Sequence, residues 1–239
     1  MCWSMTASVA MAVTGAAAAG YTRSKGEPLA IWGTLLYFSF IEALQAVGYL
    51  VVDQCGDPTN QTVTLLSYLH IALQPLVVNA FVMEIAPRPV ESMQRRLVFT
   101  VAAACSALLV LRLVPLETLG SCLPGEIMCG TGLCLVSGSW HIAWEVPLNG
   151  LWNPISDVIG YQLQFPAYVT AVLLLPLSYG AWKFVLFHFL AGPVLAWQLT
   201  SDPNEMPAVW CLLSIGIIAI GTSKWMRYRV MGAHHPQTG

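Results

Sequence analysis

Four polar side chains sit in a stretch that is otherwise fit for lipid. Residues 62–86, TVTLLSYLHIALQPLVVNAFVMEIA, carry His70, Gln74, Asn79 and Glu84. A bilayer span takes about 20 mostly apolar residues, and ionisable groups inside one are costly unless they face protein or water. His70 and Gln74 are four apart, so they share a helix face. The preceding apolar stretch carries Glu42 and Gln45. At a rise of about 1.5 Å per residue, Glu42 stands roughly 20 Å, Gln74 roughly 18 Å and His70 roughly 24 Å above the basic ends of their helices. A short loop joins the two stretches, which makes them antiparallel neighbours. The expectation is that Glu42 faces His70 and orients the imidazole or takes its proton. Gln45, Gln74 and Asn79 are the candidate substrate-binding amides on the same two helices. The competing structural reading is a buried polar pair that fixes helix register.

Two more histidines extend the set. In SGSWHIAWEVPLNG, His141 and Glu145 are four apart. On a helix they would share a face, the arrangement of a metal ligand pair or an acid–base pair. Trp140 and Trp144 place that segment at a membrane interface, as a re-entrant half-helix or an amphipathic cap helix. His188, in KFVLFHFLAGP, sits roughly 8 Å from the basic end of its own stretch. The chemistry these types imply is a divalent metal such as zinc on His70, His141 and His188, with Glu42 and Glu145 as catalytic carboxylates. Other chemistries are excluded by absent motifs. There is no mid-span lysine late in the chain for a retinal Schiff base, and no G-x-S-x-G elbow, H-E-x-x-H pair or phosphate loop.

The elements that must position these residues follow from composition. The chain has 239 residues, 56% hydrophobic and 9% charged, with mean hydropathy +0.66. Soluble domains carry about 25% charged residues. An all-α membrane protein is therefore expected, a single polytopic domain over residues 1–230 with a polar tail over 231–239. No basic patch with interleaved aromatics points to nucleic acid; the implied partners are membrane lipid and a small membrane-soluble substrate. The opening MCWSMTASVAMAVTGAAAAGYT lacks a basic start, and Arg23 and Lys25 follow it, so it reads as a retained first span and not a cleaved signal. Further spans fall at about 29–52, 62–86, 97–116, 163–181, 183–200 and 207–226. Residues 117–161 hold no Lys or Arg and are left as an outer cap or re-entrant segment. That count, about seven spans, puts Arg23, Lys25, Arg88, Arg95, Arg96, Lys183, Lys224, Arg227 and Arg229 on one side. This is the positive-inside arrangement, with the N-terminus outside and the C-terminus cytoplasmic. Only Arg112 falls at the outer end, where it can snorkel. Cys55, Cys122, Cys129 and Cys134 all land outside, where disulfides form; four cysteines allow three pairings, and one bridge from the cap to the 53–61 loop is expected.

The strings MCWS, GEP, EALQAVGYLVVDQCGDPTNQ, YLHIALQP, SWHIAWEVPLN, LPLSYGAWKFVLFH, AGPVLAW and NEMPAVWCLLSIG resemble an uncharacterised family of multi-pass membrane proteins over nearly the whole chain. That resemblance implies a topology and no reaction. A looser likeness is to intramembrane hydrolases of the alkaline ceramidase type. It implies a zinc site of Ser, Asp and three His in seven spans; Ser4, Asp53, His70, His141 and His188 supply the types, without the HxxxH pair of that family's last span. The functional expectation is a metal-dependent membrane hydrolase or oxidoreductase acting on a lipid or membrane-soluble substrate. The alternatives are a transporter or proton-coupled carrier using the same polar layer, or a non-catalytic assembly subunit.

Overall fold

The computed structural model describes residues 3–231, so the polar tail from residue 232 onward, with His234 and His235, lies outside the described residues. Helix α1, Met5–Ser24, starts at Ser4, whose hydroxyl accepts the Ala7 amide at 3.3 Å. Its alanines and Gly15 let α2, Leu29–Gly48, approach closely; a Cβ on Gly15 would stand 3.0 Å from that of Ser39. Helix α3, Pro58–Glu84, begins with Asp57 accepting the Thr59 and Asn60 amides, and has Pro58 in its first turn. Helix α4 is Ser92–Leu111. Consecutive members of α1 to α4 pack against one another. Helices α2, α3 and α4 are long and apolar enough to cross a membrane.

The next fifty residues form the cap. Its centre is a two-stranded antiparallel sheet, β1 (Cys134–Ser137) and β2 (Ile142–Glu145), with Leu135 opposite Trp144. The His141–Glu145 segment is therefore extended, and the helix expected there is corrected. Ile142, Ala143 and Trp144 are all fully buried, and so short an apolar run carries no period that separates strand from helix. Gly138 closes the hairpin; a Cβ there would stand 2.6 Å from the His141 carbonyl oxygen and 2.5 Å from the Glu205 carboxyl carbon. A short helix, α5 (Asn153–Ile159), follows.

The last third is helical but broken. Helix α6 (Pro166–Val169) continues through a wide π turn, Thr170–Leu174, and a tight 3-10 turn, Leu175–Tyr179. Helix α7 (Trp182–Phe189) runs through a second π turn, Leu190–Val194, into α8 (Leu195–Leu199). Then come α9 (Met206–Trp210), α10 (Leu213–Thr222) and α11 (Lys224–Met231). Pro176 and Pro193 bring no N–H to the helical ladder, which loosens it at both places. Two of these stretches, Pro166–Tyr179 and Met206–Thr222, are shorter apolar helices. At about 1.5 Å per residue they reach roughly 21 and 25 Å, less than the roughly 30 Å hydrocarbon core. The first stops at Gly180, which is left-handed, and the second at Ser223, which is extended, so both fall short of the full-length spans expected at 163–181 and 207–226.

Contacts define two ends. At the cap end the Trp3 amide bonds the Trp140 carbonyl at 3.0 Å, and Cys55 is bridged to Cys134. At the opposite end Arg227 grips Glu27 through two hydrogen bonds of 2.9 and 2.7 Å, and Gln94 donates to the Ser178 carbonyl at 2.9 Å.

Candidate functional site

Gln74 and Tyr168 form the polar centre of the bundle. The Tyr168 hydroxyl donates to Gln74 Oε1. Gln74 Nε2 reaches His70 Nδ1 at 3.4 Å, and His70 Nε2 donates to the Tyr37 carbonyl at 2.9 Å. Tyr37 returns the bond through its hydroxyl to the His70 carbonyl, and the two rings stack with centroids 3.9 Å apart. This chain fixes the tautomer: His70 carries its proton on Nε2, and Nδ1 accepts from Gln74. The helical spacing of His70 and Gln74 does put both on one face. The expected Glu42–His70 pair does not form as such. Five residues separate Tyr37 from Glu42, which turns them roughly 140° apart around α2. Tyr37 takes the imidazole, and Glu42 Oε1 instead accepts from Ser214 of α10 at 3.2 Å.

Glu42 and Gln45 are both buried. Glu42 Oε2 and both amide atoms of Gln45 lack a hydrogen bond of ordinary geometry among the described residues, although Ser8 lies beside Glu42 and the Cys211 thiol beside Gln45. Asn79 behaves differently from a substrate amide. Its two amide protons go to the Pro75 and Ala171 carbonyls, both at 2.8 Å, and Tyr179 donates to its oxygen at 2.8 Å. It ties α3 to the 166–179 stretch, taking up the Ala171 carbonyl five residues before Pro176, whose nitrogen cannot donate.

A small apolar cavity of about 70 Å³ opens beside Gln74 and Tyr168, walled by Phe38, Ile71, Trp210 and Cys211 and closed on the cap side by Ile127. Trp210 packs nearly perpendicular to the Tyr168 and His188 rings, with centroids 5.3 and 5.6 Å apart. Neither ring nitrogen of His188, nor Nε1 of Trp210, has a hydrogen-bond partner among the described residues.

The cap holds the other sequence candidates, and they are structural neighbours of different things. His141 Nδ1 accepts the Ile142 amide at 2.7 Å and faces the Tyr49 hydroxyl at 3.3 Å, while Trp3 stacks on its ring at 5.7 Å. Burial pushes this imidazole down to about 3, against the opposing pull of Glu205. Glu145 instead lines an open surface cleft with Glu117. Glu205 stands at the start of α9 but makes no side-chain cap there. It accepts from the Ser139, Trp140 and His141 amides and from the hydroxyls of Ser139 and Thr200. Burial alone would raise its carboxyl; those hydrogen bonds outweigh it and hold it below the usual carboxylate range. Arg112 does not snorkel. It is buried against Glu126 at 2.7 Å and bonds the Asn149 carbonyl.

The cysteines pair as Cys55–Cys134 and Cys122–Cys129. The first is the expected bridge from the cap to the 53–61 loop. Asn60, part of a glycosylation sequon, is buried and bonds both backbone groups of Leu135 at 2.8 and 2.9 Å.

The metal expectation is corrected on geometry. Among the described residues no three His, Cys, Asp or Glu side chains come together in a group able to hold a metal ion. His70 spends both nitrogens on Gln74 and Tyr37, His141 sits in the cap, and His188 sits between Phe184 and Trp210. The Ser–Asp–His set of the looser likeness is dispersed too: Ser4 caps α1 and Asp53 takes the Ser137 amide and hydroxyl. Tyr37, Tyr168 and Trp210 went unread in the sequence, because nothing local marks which aromatic meets which amide across two or three helices.

These features define a mostly helical protein with three helices able to cross a membrane, a disulfide-stapled cap over one end, and a small apolar cavity with one polar pair. The sequence profile of a Family of unknown function (DUF5765) matches residues 6–231, and the chain belongs to that family. No curated protein and no solved structure matches it.

Proposed function

We propose that this is an integral membrane protein of seven helical passes that holds a small membrane-soluble molecule in the cavity beside Gln74 and Tyr168, in the manner of a binding protein or carrier. In this reading the cap and the N-terminus lie outside and the C-terminal helix α11 lies in the cytoplasm. The nine Lys and Arg of the positive-inside pattern support that sidedness. The observation that carries the ligand reading is the cavity itself. Its wall is apolar, and Gln74 with Tyr168 supplies one hydrogen-bonding spot, the usual make-up of a site for a small apolar molecule with one polar group. The unused hydrogen-bonding capacity of Trp210, Gln45 and Glu42 in the helices around it favours a ligand that brings its own donor or acceptor. Glu42 is the residue through which a carrier of this kind would couple to protons. The metal-dependent enzyme is the weaker reading, since its ligands stand apart.

A photoreactive diazirine derivative of hexanol tests this on purified protein in detergent. Labelling should concentrate on Phe38, Ile71 and Trp210, and Ala196→Phe, which fills the cavity wall, should abolish most of it. Labelling spread over the outward-facing Leu36, Phe40 and Trp197, and indifferent to Ala196→Phe, would reject the proposal.

A further inference from the structure

The end opposite the cap carries a cleft that the cavity reading does not use. It measures about 680 Å³ and lies where the α1–α2 turn, the end of α3, the start of α4 and α11 meet. Five cations line it: Lys25, Arg88, Arg95, Lys224 and Arg227. Only two carboxylates do, Glu27 and Glu84. Arg227 is held by Glu27 at 2.7 Å and Arg95 approaches Glu84 at 3.8 Å. Lys25, Arg88 and Lys224 are exposed and make no salt bridge among the described residues. The cleft thus keeps a surplus of three positive charges, five less two.

A second observation sets its depth. Around this end, cations stand over aromatic rings: Arg23 over Trp32 at 5.3 Å, Lys25 over Tyr21 at 5.5 Å, Lys183 over Trp182 at 5.7 Å and Arg229 over Trp225 at 5.4 Å. Tyr21, Trp182 and Trp225 are exposed. Exposed Trp and Tyr paired with Lys and Arg are the residues of a membrane–water interface. The cleft opens at that same end, level with lipid headgroups.

From these two facts we infer that the cleft binds a phosphate-bearing anion, supplied by the headgroup of an anionic membrane lipid. Arg88 presents a planar fork suited to two phosphate oxygens, and Lys25 and Lys224 add compact charges beside it. The inference rests on the membrane reading above, because it places this end at the inner leaflet, whose anionic lipids attract such clusters.

Thermal unfolding of the purified full-length protein in mixed micelles tests it. Phosphatidylglycerol should raise the midpoint by several degrees over phosphatidylcholine, and high salt should remove most of that rise. Combined Lys25→Gln, Arg88→Gln and Lys224→Gln should remove at least half of it, while Arg96→Gln with Lys183→Gln, whose residues lie outside the cleft, should leave it. An equal rise for the triple variant and wild type would overturn the inference. So would stabilisation by inorganic phosphate alone with none from the lipid. Release of the protein from membranes by alkaline carbonate would instead defeat the membrane reading, a failure distinct from that of the cleft.

Discussion

At the level of single residues, His141 gives the clearest consequence. Its imidazole is buried in the cap and pushed down to about 3, from a usual 6.5. Between those values the unfolded chain binds a proton there and the folded chain does not. Stability therefore rises with pH through that window and is level above it, with a slope of up to roughly 1.4 kcal/mol per pH unit from this one group. Glu205 acts in the same sense lower down, since its carboxyl is held below the ordinary range and its contribution falls away as pH drops toward protonation. Melting of the detergent-solubilised protein should thus be flat from pH 7 to 8 and fall steeply below pH 6.5. His141→Gln should flatten the fall between pH 6.5 and 5. An unchanged profile would mean that the ring is not held neutral by the cap.

Among elements, the hairpin depends on its staples. Cys55–Cys134 closes a stretch of 79 residues and Cys122–Cys129 one of only 7. Loop-closure entropy grows with the logarithm of length, so the longer bridge should contribute about 2 kcal/mol more. The Cys55→Ser, Cys134→Ser pair should lower the melting point more than the Cys122→Ser, Cys129→Ser pair, and equal losses would contradict the entropic account. Much of this level was legible beforehand. Cysteines gathered in stretches without Lys or Arg announced a disulfide-stapled cap, and the positions of α2, α3 and α4 followed from long apolar runs. The strands were not legible, because a run of three apolar residues such as Ile142, Ala143 and Trp144 has no telling period. Apart from Thr200, the partners of Glu205 lie 64 to 66 residues away in the hairpin tip, beyond any local signal. Glu42 and His70 were placed on the right helices, but their mutual pairing was not, since depth along a helix says nothing of rotation around it.

For the whole molecule, the account turns on two ends of opposite character. The cap end holds the disulfides, the Arg112–Glu126 pair and the docked Trp3. The other end holds the basic cleft and its belt of aromatic rings. Three helices, α2, α3 and α4, are long and apolar enough to cross a membrane, and two of the later stretches are shorter apolar helices; the seven passes proposed above would deliver that separation. The cavity beside Gln74 and Tyr168 lies among the helices and reaches the cap at Ile127; under the proposed function its ligand would enter from lipid. The most direct test places single cysteines at Glu117 in the cap and Arg229 in α11, with Cys2 replaced by Ser, in cells treated with a membrane-impermeant thiol reagent. The account expects Glu117→Cys to be labelled in intact cells and Arg229→Cys only after the membrane is opened. Labelling of both positions from the same side would contradict it.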